Sequence, residues 1–214
     1  MATRPTRSPA ARRQAQHEQD APPLALHDRA EADLAFVRAT VERSAYFSAV
    51  PGVAGVIMGM TALVAAPVAA LQPTQQRWLT VWLLEAMLAG TIGAVGVVRK
   101  ARQRHVALDV GPARRFALGL APPIIAGGAL TTACVQIDAW SLVPAVWLLC
   151  YGIAVLGAGA VSATRIVPLL GAAFLVAGLA AIASPAVWGD GYMALAFGAG
   201  HVVAGILIAR NHGG

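Results

Sequence analysis

Two titratable side chains stand deep inside long apolar runs, and any chemistry within the membrane would have to start from them. Glu85 lies in the run at 78–98, WLTVWLLEAMLAGTIGAVGVV, about 10 Å in from Trp78 at ~1.5 Å of helix rise per residue. His201 lies in the run at 191–209, about 15 Å past Gly191 by the same measure. Gly198 and Gly205 flank His201 at helical spacing, so another helix can approach its face. An ionised group is expensive at membrane depth, so Glu85 must face other helices, find a partner or carry a proton. As an intramembrane polar pair, Glu85 and His201 would form the proton- or ion-binding site of a small transporter, imidazole being the side chain best suited to exchanging a proton near neutral pH. A plainer role also fits. The pair would then be one buried polar contact that sets helix register, or Glu85 would reach the outer interface beside Arg77.

Other reactive constellations are sparse. No second carboxylate, no His-x-x-x-His and no Ser, His and Asp set stands at matching depth. Cys150 beside Tyr151 imitates a reactive centre, but a thiol in apolar surroundings is inert. Cys134 and Cys150 show neither a disulfide framework nor a metal-ligand spacing. These residues point away from an enzyme, from a metal site and from a resident cofactor.

The elements that must carry Glu85 and His201 are membrane helices. At 214 residues, 57% hydrophobic, 12% charged and with a mean hydropathy of +0.65, the chain is far more apolar than a soluble domain. Six apolar runs, at about 51–71, 78–98, 116–137, 143–161, 167–184 and 191–209, are each near the ~20 residues that cross a bilayer. Val50-Pro51, Val143-Pro144 and Val167-Pro168 open three of them with proline in the first turn, where its missing N–H is harmless. Pro122-Pro123 sits about a turn inside the third run and predicts a kink, whose freed carbonyls either line a cavity or are met by packing.

The net charge of +6 raises nucleic acid as a partner, and the placement of the charges rejects it. The sixteen Lys and Arg flank apolar runs and form no basic face interleaved with aromatics. Arg99, Lys100, Arg102, Arg104, Arg114 and Arg115 fill the link between the second and third runs, and such clusters stay cytoplasmic. With six crossings, that link shares a face with both termini and Arg165, and only Arg77 falls opposite. Trp78, Trp82, Trp140, Trp147 and Trp188 lie near the other turns, as interfacial indoles do. The expected fold is therefore all-α and polytopic, six spans as three antiparallel hairpins in the bacterial cytoplasmic (inner) membrane, with the bilayer as first partner. Small residues supply helix contacts: Gly55-x-x-x-Gly59 in the first span, and Ala196, Gly200 and Ala204 in the sixth. Contacts within one chain and a homo-oligomer both stay open.

Ahead of the transmembrane domain at 47–214, residues 1–23 are rich in Ala, Arg, Pro and Gln and read as a disordered cytoplasmic tail. The first apolar run has no small-residue cleavage site after it and is expected to be a retained span. Residues 24–46 read as a cytoplasmic juxtamembrane helix, with Asp28 and Glu31 as a capping box and Leu34, Val37, Val41 and Ala45 on one face. It either lies against the inner surface or bundle, or docks a soluble cytoplasmic partner at 28–46. Its mixed charges argue against a polybasic lipid anchor.

The order Asp33-Leu34-Ala35-Phe36-Val37-Arg38, then Phe47-Ser48-Ala49-Val50-Pro51-Gly52, then Trp82-Leu83-Leu84-Glu85 and the closing helix from Gly205 to Arg210, resembles a group of bacterial multi-pass membrane proteins to which no activity is assigned. The resemblance covers most of the chain beyond residue 27 and transfers no catalytic or ligand-binding role. It implies a regulatory or stress-linked setting, because such proteins are often encoded beside winged-helix regulators. Two functions follow from the residues. One is a non-enzymatic scaffold, sensor or regulatory membrane component; the other is a small proton-coupled or metabolite transporter using Glu85, His201 and the break at Pro122-Pro123.

Overall fold

The computed structural model describes residues 31–38, 41, 47–103, 105, 108 and 111–212. The chain divides into two compact units, Met1–Ala45 and Tyr46–Gly214. In the first, residues 31–38 are helical and exposed, in line with the helix expected there. The expected tail at 1–23, Asp28 of the capping box and Arg104 of the basic link lie outside the described residues.

The second unit is helical. It comprises α1 (Gly52–Ala70), α2 (Gln75–Gln103), α3 (Gly111–Gln136), α4 (Val143–Gly159), α5 (Ile166–Ile182) and a final helix in three parts. Those parts are α6 (Gly189–Met193), a π-helical stretch at Ala194–Gly200, and α7 (His201–His212). Among the described residues five stretches are long and apolar enough to cross a membrane: Gly52–Ala70, Gln75–Gln103, Gly111–Gln136, Trp140–Gly159 and Ala186–Asn211. The expected fifth run appears as α5 at 17 residues, or about 26 Å, against a hydrocarbon core of ~30 Å.

Proline behaves as its position dictates. Pro51 stands just before α1, and Pro144 falls at the start of α4. Pro122 and Pro123 lie inside α3, which runs through them as one helix. They remove the donors that would serve the carbonyls of Leu118 and Gly119. A departure from α-helical geometry lies in the final helix, where the π stretch ends against His201.

Packing leaves the bundle open on one side. α4 packs on both α3 and α5, α1 on both α2 and the final helix, and the final helix also touches α5. α2 packs on α1 and α3 on α4, but α2 and α3 do not form a packed pair. Lipid gives apolar helices no solvent-driven reason to associate, so close backbone approach must do it. At α1 and the final helix it does: a Cβ on Gly59 would stand 2.5 Å from the Gly198 carbonyl, and one on Gly205 would stand 2.6 Å from the Gly52 carbonyl. Gly55 faces the Cα of Gly205 across the same seam, and Gly200 meets Leu170. The small-residue motif thus makes a contact within one chain.

Each end of the bundle has its own polar lacing. At the basic end, Lys100 is buried and its Nζ donates to the Val50 carbonyl at 2.9 Å. Topogenic charge alone does not describe Lys100, because its stem is packed and its ammonium ties α2 to the entry of α1. Arg99, Arg102, Arg114 and Arg115 are exposed. Phe47 exchanges backbone hydrogen bonds with Val161 and Ala163, an isolated parallel bridge joining the entry segment to the α4–α5 link.

At the other end, Trp78 and Trp82 both donate their indole N–H to Asp190 Oδ1, at 2.8 and 3.0 Å. Trp140 donates to Asp138, and Trp147 to Thr131. Trp188 is exposed, whereas Trp82 and Trp140 are buried. Four of the five tryptophans therefore also act as internal fasteners. Asp190→Ala should strand two indole donors, of which the buried Trp82 counts most, and lower stability by about 1–3 kcal/mol. Asp190→Asn keeps an acceptor and should recover most of that in a thermal melt in detergent.

Candidate functional site: an intramembrane cleft

The unpaired helices α2 and α3 border a cleft of about 1150 Å³. Along α2 its lining runs from Leu79 to Val98, at i, i+3 and i+4 steps that keep one face turned inward. That length is roughly 28 Å, close to the full hydrocarbon thickness. Small residues on this face, Ala86, Gly90, Gly93 and Ala94 among them, leave the space unfilled. The other walls come from α3, α4 and the final helix, with Gly55, Met58 and Ala62 of α1 and Val167 and Leu170 of α5.

Most of the lining is apolar, and its polar groups are few; Glu85, Thr131, Trp147, Tyr151 and His201 among them are bonded to the protein. Glu85 is buried on α2, with Oε1 at 2.8 Å from Thr61 Oγ1 of α1. The same hydroxyl lies 2.8 Å from the Met58 carbonyl. A hydroxyl carries a single proton and a carbonyl can only accept. Both contacts are satisfied together when Glu85 itself holds a proton and donates to Thr61, which then donates to Met58. That arrangement buries no charge.

His201 is buried at the first residue of α7, immediately after the π stretch. Its Nδ1 lies 3.0 Å from the Phe197 carbonyl and its Nε2 lies 2.9 Å from the Tyr151 hydroxyl of α4. The carbonyl assigns the proton of the neutral ring to Nδ1, so Nε2 accepts from Tyr151. Three aromatic rings surround the imidazole, with centroids at 5.5 Å for Tyr151, 5.5 Å for Phe174 and 6.3 Å for Phe197. A third node joins α3 to α4: Trp147 Nε1 donates to Thr131 Oγ1 at 2.7 Å, and Thr131 donates to the Gly127 carbonyl.

The expected Glu85 and His201 pair is thus brought to one cleft without being joined. Each side chain is bonded to a different partner, and the two stand on different walls. The reason is local. Thr61 and Tyr151 sit on helices packed directly beside Glu85 and His201, so each polar group is satisfied before it can reach across the opening. Cys150 also lines the cleft, and it and Cys134 are free thiols. Among the described residues no three His, Cys, Asp or Glu side chains converge as metal ligands would.

Sequence reasoning passed over Thr61, Thr131 and Asp190, and treated Tyr151 only as a neighbour of Cys150. A search of each span for hydroxyls at the depth of Glu85 or His201 would have found Thr61 and Tyr151. The π stretch had no signal in composition, and such irregular turns are frequent at functional positions. Compared with protein-family models, with curated proteins and with solved structures, the chain finds no match.

Proposed function

We propose that this chain is a non-enzymatic multi-pass membrane protein that takes an apolar or amphipathic small molecule into its intramembrane cleft. The cleft itself carries the reading: it is larger than the ~300–1,000 Å³ usual for small-molecule sites, it is lined mainly by apolar side chains, and it lies between two helices that do not close on each other. Its buried hydrogen-bonding groups, Glu85, Thr131 and His201 among them, are bonded within the protein and would orient a ligand's polar end instead of cutting bonds. In this reading α5 completes a six-span arrangement of three antiparallel hairpins, its short length met by local thinning of the bilayer. Both termini and the link after α2 face the cytoplasm of a bacterial cell, as the positive charge on that link requires.

Gly90 supplies the test. A Cβ there would meet nothing within 4 Å, yet the residue lines the cleft. Gly90→Trp should therefore fill the opening while leaving the fold intact. Native mass spectrometry of the detergent-solubilised protein with oleyl alcohol should show an adduct on the wild-type chain that falls at least about tenfold in Gly90→Trp, the loss of ~1.4 kcal/mol or more of contact. Equal adducts on both proteins would overturn the cleft as the binding place.

Two other readings each have one observation in their favour. Proton-coupled transport is favoured by Glu85 and His201 lining the same cleft on α2 and the final helix. A regulatory component docking a soluble partner is favoured by the exposure of Leu34 and Val37, 60% and 55%.

A further inference from the structure

We infer that the cleft takes a lipophilic organic cation, whose positive head displaces the proton of Glu85 and lies against that carboxylate while its apolar tail occupies the rest of the opening. This rests on the reading of the cleft as a ligand site and adds the charge of the ligand.

The lining offers charge of one sign. Glu85 is the one carboxyl on it, and among the described residues no lysine or arginine lies there. His201 also lines the cleft, but the nitrogens of its neutral ring are engaged by the Phe197 carbonyl and the Tyr151 hydroxyl. At the basic end Phe47, Ala101 and Ala113 are buried in one apolar cluster with Phe116 packed against them, which closes the cleft off from the arginines beyond. An anionic head would meet no cation inside. A cationic head would meet a carboxyl.

Glu85 has capacity left for such a partner. It is 8% exposed, and one of its oxygens is bonded to Thr61 while the other has no partner among the described residues. A buried acceptor left unmet is costly, and a cation satisfies a carboxylate more strongly than a neutral group does. Trp82 stands one turn before Glu85 on α2 and shares an apolar cluster with Trp147 and Phe197, and all three line the cleft. Aromatic faces attract cations, quaternary ammonium groups among them.

Binding exchanges one positive charge for another. Without ligand, Glu85 holds its proton and donates to Thr61. As the cation enters, that proton passes to bulk solvent, and the Thr61 hydroxyl turns from the Met58 carbonyl to the carboxylate. The Met58 carbonyl keeps the helical donor of Ala62 within α1. α1, packed beside α2, carries no titratable side chain. Across the cleft stand Cys150, Tyr151 and His201, and Asp190 at the outer end accepts from the Trp78 and Trp82 indoles. Glu85 is therefore the acid on this lining whose proton a bound cation replaces.

The test mixes oleyltrimethylammonium and oleyl alcohol in equal amounts with the full-length protein in a neutral detergent at neutral pH and reads the adducts by native mass spectrometry. The fixed charge should raise the ammonium adduct over the alcohol adduct by about tenfold or more. Glu85→Gln, which still offers Thr61 a hydrogen-bonding partner, should bring that ratio close to one with the alcohol adduct and the thermal midpoint unchanged. In weakly buffered solution the wild-type protein should release about one proton per ammonium bound. A ratio near one on the wild-type protein, a preference that survives Glu85→Gln, or ammonium binding without proton release would overturn the cation assignment, while an oleyl alcohol adduct lost in Gly90→Trp still supported the cleft. Adducts of both molecules that persist undiminished in Gly90→Trp would overturn the cleft and the cation assignment together.

Discussion

Replacing Gly205 with leucine should unfold this bundle at a markedly lower temperature than replacing Gly90 with the same residue. The Cβ of a residue at 205 would stand 2.6 Å from both the Gly52 carbonyl and the Val56 amide nitrogen. Both are backbone atoms, so no rotamer change relieves the overlap, and α1 and the final helix would have to move apart. Overpacking of this kind costs about 1–3 kcal/mol and sometimes more, and in a bilayer no hydrophobic force compensates for lost packing between the helices. At Gly90 the leucine enters open space and should change stability by less than ~0.5 kcal/mol, as surface substitutions do. The comparison is read as thermal midpoints of both variants in one detergent. Equal midpoints would show that α1 and the final helix are not in the contact described here.

The second large effect concerns Tyr151 and His201. Tyr151→Phe removes the hydroxyl bonded to His201 Nε2 and leaves a buried imidazole nitrogen without that donor, at about 1–3 kcal/mol. His201→Phe should cost a similar amount, since it strands the tyrosine hydroxyl among Phe174 and Phe197. Replacing both partners leaves four aromatic rings and neither an orphaned hydroxyl nor an orphaned ring nitrogen, so the double variant should lose less than the sum of the single variants, the Phe197 carbonyl alone forfeiting its imidazole donor. The coupling energy of the cycle should be ~1–2 kcal/mol, as for residues in direct contact. Measured by unfolding in mixed micelles, strict additivity of the two losses would refute the hydrogen bond. The double variant then serves a functional purpose. If it keeps its stability and its oleyl alcohol adduct, the pair sets helix register; if it is stable but loses the adduct, Tyr151 and His201 face the ligand.

Much of the fold was legible from residue types. Runs of Leu, Val, Ala and Gly punctuated by arginine predict where helices lie, because that pattern needs no knowledge of neighbours. The second run extends in the structure to Gln103, beyond the Arg99 boundary, because Lys100 and Ala101 are buried and continue the helix on its inner face. Gly55 and Gly59 announced a close contact, and the partner proved to be the chain's own final helix. Glu85 and His201 stood out because polar side chains are rare at that depth, and both reached the cleft.

The partner of each polar group was not legible. Glu85 has Thr61, and His201 has Tyr151 and the Phe197 carbonyl, because hydrogen bonds at membrane depth close over the shortest path between helices already in contact. Pairing across sequence separations of 24 and 50 residues depends on which helices pack, and composition is silent on that order. Asp190 gathering two indoles, Lys100 turned inward to Val50 and the π stretch before His201 have the same origin.

By itself the sequence determined helices, their small-residue faces and the distribution of charge about them, since each of these follows from local chemistry and the dimensions of a bilayer. Only the tertiary structure decided that α2 and α3 stand apart and that a cleft lies between them. The physical reason is that apolar helices in lipid all satisfy their backbones equally well, so which pairs close and which stay open is settled by shape complementarity among the glycine and alanine faces, a property of pairs of helices and not of any one segment.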